Sequence, residues 1–241
     1  MRSCMQRATL AFLCLVGITG CAPHPQRMPR PASIPVSGFP EEFYREARAS
    51  GEPVFAIESP ELQSVKVRVH REGSLASLGH DHIISAQDVR GYVLDSRDPS
   101  RTRVDVYLPV AALEVDLPAS TADAGIARGL SQEDIAATRR HMLEDVLQSE
   151  KYPYVVVHGV CSASPPPCRT LDARVTLHGV TRDVAIPIAV EMAGDRLVVS
   201  GDFSVRHSEY GMTPYSVFGG ALRVGDKIDV SFRLEAGPTA H

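Results

Sequence analysis

The sequence has no run of lysine or arginine, and its formal net charge of −4 is mildly acidic. That removes the electrostatic case for nucleic acid as a partner, and for charge-driven adhesion to an anionic membrane surface. Beyond the first twenty residues no apolar stretch is long enough to span a bilayer as a helix. No serine lies in a G-x-S-x-G context, so the strained nucleophile turn of that hydrolase class is missing. Cysteine is scarce. There are five, and Cys4 and Cys14 fall within the N-terminal leader.

That leader has the form of an export signal over residues 1–20. Arg2 and Arg7 make a basic start, Ala8 to Ile18 is almost wholly apolar, and Thr19-Gly20 precede Cys21. Ile18-Thr19-Gly20-Cys21 resembles the lipobox of bacterial lipoproteins, in which the cysteine is acylated and becomes the new N-terminus. Ordinary signal cleavage nearby is the alternative. Several acyl chains, at about 0.8 kcal/mol per buried methylene, would hold such a protein on a membrane. Membrane attachment is therefore expected through N-terminal acylation at Cys21, on an exported protein facing the periplasm. Ala22, in place of an Asp, favours outer-membrane sorting under the rule known for some Gram-negative bacteria. Losing Arg2 and Arg7 with the signal takes the net charge from −4 to −6.

Residues 21–50 read as a proline-rich tether ending in a possible short helix, with Phe39, Phe43 and Ala47 at helical spacing. Whether that helix caps the domain or packs on its flank stays open. The remaining cysteines, Cys161 and Cys168, bracket Ser-Ala-Ser-Pro-Pro-Pro and are expected to form a disulfide at a hairpin tip, worth roughly 2–3 kcal/mol. Two cysteines at this spacing without nearby partners make a weak metal motif.

Residues 51–237 carry the domain, organised around Leu171 to Val190. Val175 and Leu177 share one face of an extended segment, Gly179 permits a reversal, and Val184, Ile186, Ile188 and Val190 resume the alternation. This reads as a β-hairpin with one buried face, which needs further strands to cover it. Strand patterns occur at Val54–Ile57, Val65–His70, His82–Ser85, Val89–Leu94, Val104–Val110, Tyr154–Val160, Arg196–Val205, Gly220–Val224 and Ile228–Glu235. A single amphipathic helix is expected over Gln132–Leu147, with Ser131 and Asp134 as its N-cap arrangement and Arg139 and Arg140 on the solvated face. Many short strands and one inserted helix argue for an antiparallel barrel or sandwich. Pro187, which cannot donate to a ladder, marks a bulge, an edge or a barrel corner.

Four segments, in order, resemble the YceI-like family. They are Phe55-Ala-Ile-Glu with Ser64-Val-Lys-Val-Arg-Val; Arg140-His-Met-Leu with Tyr152-Pro-Tyr-Val-Val-Val; Leu177-His-Gly-Val-Thr-Arg-Asp-Val; and Ser200-Gly-Asp-Phe-Ser-Val-Arg-His-Ser-Glu-Tyr-Gly-Met. The resemblance implies an all-β fold: an antiparallel, closed, lipocalin-like barrel of about eight strands with one inserted α-helix. It also implies a long polyisoprenoid, quinone or similar amphiphile bound inside as ligand, with no other cofactor and no catalysis. Arg206, His207 and Tyr210 are candidates to meet a ligand head group on the same ground.

Alternation supplies the candidate lining: Val67, Val69, Val106, Leu108, Val156, Val175, Leu177, Phe203, Val230 and Phe232. A filled core would show the same pattern. Tyr215, Phe218 and Gly219-Gly220 are placed at a mouth loop on composition. His80-Asp81-His82 departs from the plainer stretch expected of most family members. Residues two apart on a strand project together, so His80 and His82 are either polar contacts at the cavity mouth, structural residues, or ligands of a metal with His178 or His207 as third. Glu209 with His207 is a weaker acid/base candidate, and His141 sits on the polar side of the helix.

Overall fold

The computed structural model describes residues 36, 38–96, 98–124, 130–162 and 168–239. Cys21, the signal and most of the tether lie outside them. Among the described residues the chain forms twelve strands: β1 (Val54–Ile57), β2 (Ser64–Glu72), β3 (His82–Ala86), β4 (Arg90–Leu94), β5 (Arg103–Pro109), β6 (Glu114–Val115), β7 (Tyr154–Cys161), β8 (Thr170–Leu177), β9 (Val180–Ala193), β10 (Arg196–Arg206), β11 (Ser216–Val217) and β12 (Leu222–Pro238). Among the described residues three α-helices accompany them: α1 (Glu41–Ala49), α2 (Pro118–Asp123) and α3 (Gln132–His141).

Every ladder is antiparallel. The order β1-β4-β5-β7-β8-β9-β10-β12 closes on itself where Phe55 and Ala56 of β1 pair with Pro238 and Gly237 of β12. This is an eight-stranded closed barrel, with β2, β3 and β6 continuing the sheet from the long strand β12. Closure gives each of these eight strands a neighbour on both sides. The faces are apolar inward and polar outward: β2 directs Val65, Val67 and Val69 inside and alternates them with Lys66, Arg68 and His70. A membrane-spanning barrel has the opposite polarity. Among the described residues no helix is long and apolar enough to cross a membrane.

The central hairpin turns at His178-Gly179, both with positive φ, between the paired residues Leu177 and Val180. Such a two-residue turn matches the twist of its strands. A side chain at Gly179 would run into the Tyr152 ring, 2.5 Å from the nearest ring carbon. Pro187 stands at the corner. Residues up to Pro187 pair with β8, and from Ile188 onward β9 pairs with β10. The opposing Gly201 is tight against it, since a Cβ there would lie 2.4 Å from the Pro187 carbonyl oxygen.

Several expectations are adjusted. The two segments expected at 220–224 and 228–235 form one strand, β12, whose register against β2 shifts between Val224 and Ile228. The helix expected to run from Gln132 to Leu147 is α-helical only to His141 and then makes a π-turn over Met142–Val146, closed by the Leu147 amide on the Met142 carbonyl. Arg139 is not left to solvent: it donates to the Leu113 and Ala111 carbonyls and ties α3 to the chain before β6. The short strands β6 and β11 and the six-residue α2 carry too few residues to show a period. Cys161 and Cys168 form a disulfide with Cα atoms 5.8 Å apart.

The helix α1 belongs to the folded unit, which begins at Val36. Tyr44 is fully buried, and its hydroxyl donates to Asp105 Oδ2 at 2.6 Å. Asp105, itself fully buried on β5, also takes two bonds from the Arg103 guanidinium and one from His158 Nδ1. A carboxylate out of water is tolerable only when its lone pairs are filled this way. Burial and the Asp105 charge together push the Tyr44 phenol well above its usual range.

Removing one partner from this cluster should be costly. Asp105→Ala is expected to destabilise the domain by about 3–5 kcal/mol, and Tyr44→Phe by about 1–3 kcal/mol. Denaturant unfolding followed by far-UV circular dichroism measures both. Equal and negligible shifts would contradict a buried network.

Candidate functional site

The inward faces do not meet across the barrel. They enclose a cavity of about 220 Å³ whose wall is apolar except for His207. Valine is its commonest lining residue, and only Phe203 and Phe232 are aromatic. Of the expected lining residues, Val67, Val69, Val106, Leu108, Val175, Leu177, Phe203, Val230 and Phe232 all face it.

Val156 does not. Its neighbours Val155 and Val157 line the cavity, while Val156 pairs laterally with Tyr107 and Thr176 on the outer face. Three consecutive valines offer no alternation to read, so the parity of β7 is set by its partners.

A second, larger chamber of about 620 Å³ adjoins the first and shares Val69, Ile84, Met142, Val146 and His207 with it. Its wall is mixed, with Arg71, His80, His82, Asp134, His141 and Arg223 among apolar residues. Leu78, 72% exposed, and Tyr215 stand at its rim. The His141 ring stacks on Tyr215 at 4.6 Å and its Nδ1 bonds Asp145 at 2.7 Å. The π-turn carries Met142 and Val146 to the boundary between the two chambers, a frequent use of such a turn at functional sites.

The head-group candidates divide. Alternation along β10 sends Val205 and His207 inward and Arg206 outward, where Arg206 pairs with Asp226. Tyr210 is fully buried in the wall but lines neither chamber. Phe218 is 72% exposed with a left-handed backbone and likewise lines neither, unlike its neighbour Val217. The turn around it rotates its side chain away from the mouth. His207 is thus the one member of its group that reaches a ligand space. It does not pair with Glu209: its Nδ1 donates to the Asp226 carbonyl, and Glu209 accepts the Arg206 amide. The register shift in β12 presents that carbonyl, as bulges often re-aim a group beside a site.

His80 and His82 project together, their rings 4.4 Å apart. The third group beside them is Asp116, not His178 or His207. His178 lies elsewhere, donating to the Tyr210 carbonyl and packing on Tyr152. Asp81 points to the outside of β2, where it accepts from His70 and the Arg71 amide. Sequence spacing could not reveal Asp116, which arrives from 34 residues beyond His82.

A model of the YceI-like domain matches residues 64–236. The chain belongs to the YceI-like family. Two solved structures share the fold. BcnA from Burkholderia cenocepacia is 13% identical with a TM-score of 0.51, covering 71% of this chain and 96% of that one. A polyisoprenoid binding domain from Saccharophagus degradans, implicated in plant cell wall breakdown, is 9% identical with a TM-score of 0.53, covering 78% and 99%. No curated protein matches the chain in sequence. At these identities the two structures establish the fold of this YceI-like domain.

Desolvation holds the His207 imidazole below its ordinary value, with the bond to the Asp226 backbone pulling the other way. The folded state therefore binds this proton less readily than the unfolded chain. The contribution to stability is complete above about pH 6.5 and declines as the pH falls below that value. Denaturation midpoints are expected to drop between pH 7.5 and pH 5, with a shallower drop in His207→Gln. Identical pH slopes in the two proteins would refute the assignment.

Proposed function

We propose that this YceI-like domain binds one long apolar molecule with a polar end, an isoprenoid such as a polyprenyl carrier or a quinone side chain, and sequesters or shuttles it in the cell envelope. The tail lies in the inner cavity and the head group in the outer chamber. The observation that carries the reading is the pairing of the two spaces: an apolar hollow inside a closed barrel, and beside it, sharing five wall residues, a chamber lined by histidines and arginines. Apolar pockets with a few polar groups at one end are the common design for small ligands. The inner cavity alone is small against the roughly 300–1,000 Å³ usual for ligand pockets, and the adjoining chamber brings the space into that range. The Saccharophagus degradans domain of the same fold is a polyisoprenoid binding domain, which supports the ligand class.

Affinity would come from burying the chain, at about 25 cal/mol per Å² before ordering costs are subtracted. The function is binding without turnover. The signal and the Cys21 lipobox support an exported protein held on the membrane by N-terminal acylation, in the outer membrane by the Ala22 rule. A lipid anchor would keep such a carrier beside the source of its ligand.

Native protein extracted in mild detergent should carry co-purified isoprenoid lipid detectable by mass spectrometry. Val175→Phe, which fills the cavity, should lower isoprenoid affinity at least tenfold. Overpacking typically costs about 1–3 kcal/mol of stability, so thermal melting of the variant is measured alongside. Protein that is consistently empty, and a folded Val175→Phe variant that binds as well as wild type, would overturn the proposal.

A further inference from the structure

One group in the outer chamber is built more closely than a head-group contact requires. His80 precedes β3 and His82 opens it, so their rings lie on one side and meet edge to face. Asp116 follows β6, the strand that pairs with β3. Its amide donates to the Ile83 carbonyl at 2.8 Å, and its Oδ1 accepts the Ile83 amide at 2.9 Å. This pair of hydrogen bonds to one residue fixes the carboxylate, and the backbone holds Asp116 at a left-handed φ of 51°. Oδ2 is left facing His82, 2.6 Å from its Nδ1. One donor atom from each of His80, His82 and Asp116 lies within 4.8 Å of the other two. The Asp116 side chain is 1% exposed, and His80 Nε2 is buried without a hydrogen-bond partner.

We propose that His80, His82 and Asp116 bind one divalent first-row transition metal ion at the wall of the outer chamber. Two imidazoles and one carboxylate are a ligand set suited to zinc and its neighbours. At metal–ligand distances of about 2.0–2.2 Å, tetrahedral donors stand about 3.4 Å apart, so small ring rotations from the present arrangement seat the ion. The ion gives the orphaned His80 nitrogen a partner, and the Ile83 amide serves as the outer support that orients the carboxylate. Three protein ligands leave at least one coordination position open toward the chamber, where an oxygen of a bound head group would complete it. That last point rests on the proposed function; the three protein ligands do not.

The test uses the full chain without a polyhistidine tag, stripped of lipid and of metal by chelation, and titrated with Co(II) and then Zn(II). The expected result is one cobalt per chain, with the intense visible bands of a four- or five-coordinate ion, displaced by one equivalent of zinc. His80→Ala removes the unpartnered Nε2 and a partly buried ring; its melting is measured alongside, and the folded variant should bind zinc about 100-fold more weakly or worse. His82→Ala should lose binding as well, with its fold checked by circular dichroism. Substoichiometric uptake, or zinc affinity unchanged in folded His80→Ala, would overturn the site. Because the titration is made without lipid, its failure would leave isoprenoid binding untouched, and absence of isoprenoid binding would leave the metal result standing.

Discussion

Valine is too short to meet its counterpart across an eight-stranded ring. That constraint shapes the rest of the molecule. A ring of this size is just wide enough either to be filled by its own side chains or to hold one small ligand. Here β2, β5 and β7 present mainly valines to the interior, and the two inward phenylalanines, both at the β10–β12 seam, fill only part of it. Gly201 between Val199 and Phe203 adds no side chain at all, and a Cβ there would press on the Phe232 ring. Stiff, β-branched side chains suit a pleated wall and give it shape without volume. The hollow follows from residue size as much as from topology.

A wall with a cavity behind it must be held from outside and closed at its ends. The Tyr44–Asp105–Arg103–His158 cluster does the first, fastening α1 across β4, β5 and β7 through a carboxylate that no water reaches. The second falls to α3 and its π-turn, which carry Met142, Val146 and Leu147 onto the cavity. Polar groups are concentrated where that cap leaves an opening. Desolvation there disfavours the charged form of both His80 and His207.

Most of the barrel was legible because period two survives in the sequence wherever polar and apolar residues alternate, as in Val65–His70 and Leu171–Leu177. It failed at Val155-Val156-Val157, where every residue is apolar and only the pairing partners decide the face. Pro187, which cannot donate to a ladder, stands at the corner where β9 changes partner. The site was less legible, for one reason in several places: polar residues reach a cavity by tertiary placement. Asp116 joins His80 and His82 through the β3–β6 pairing, Arg71 and Arg223 come from opposite strands of the β2–β12 ladder, and His141 turns inward against Tyr215. None of these carries a local signal. Arg206, Tyr210 and Phe218 lay in the right segments, but strand parity and local turns sent their side chains elsewhere.

The central claim is that a hollow of fixed size takes up an apolar chain. Calorimetric titration with isoprenoid alcohols of increasing length tests it most directly. Affinity should rise with each added isoprene unit, with a negative heat-capacity change, until the hollow is full, and then level off. Affinity independent of chain length, with no heat-capacity change, would contradict it.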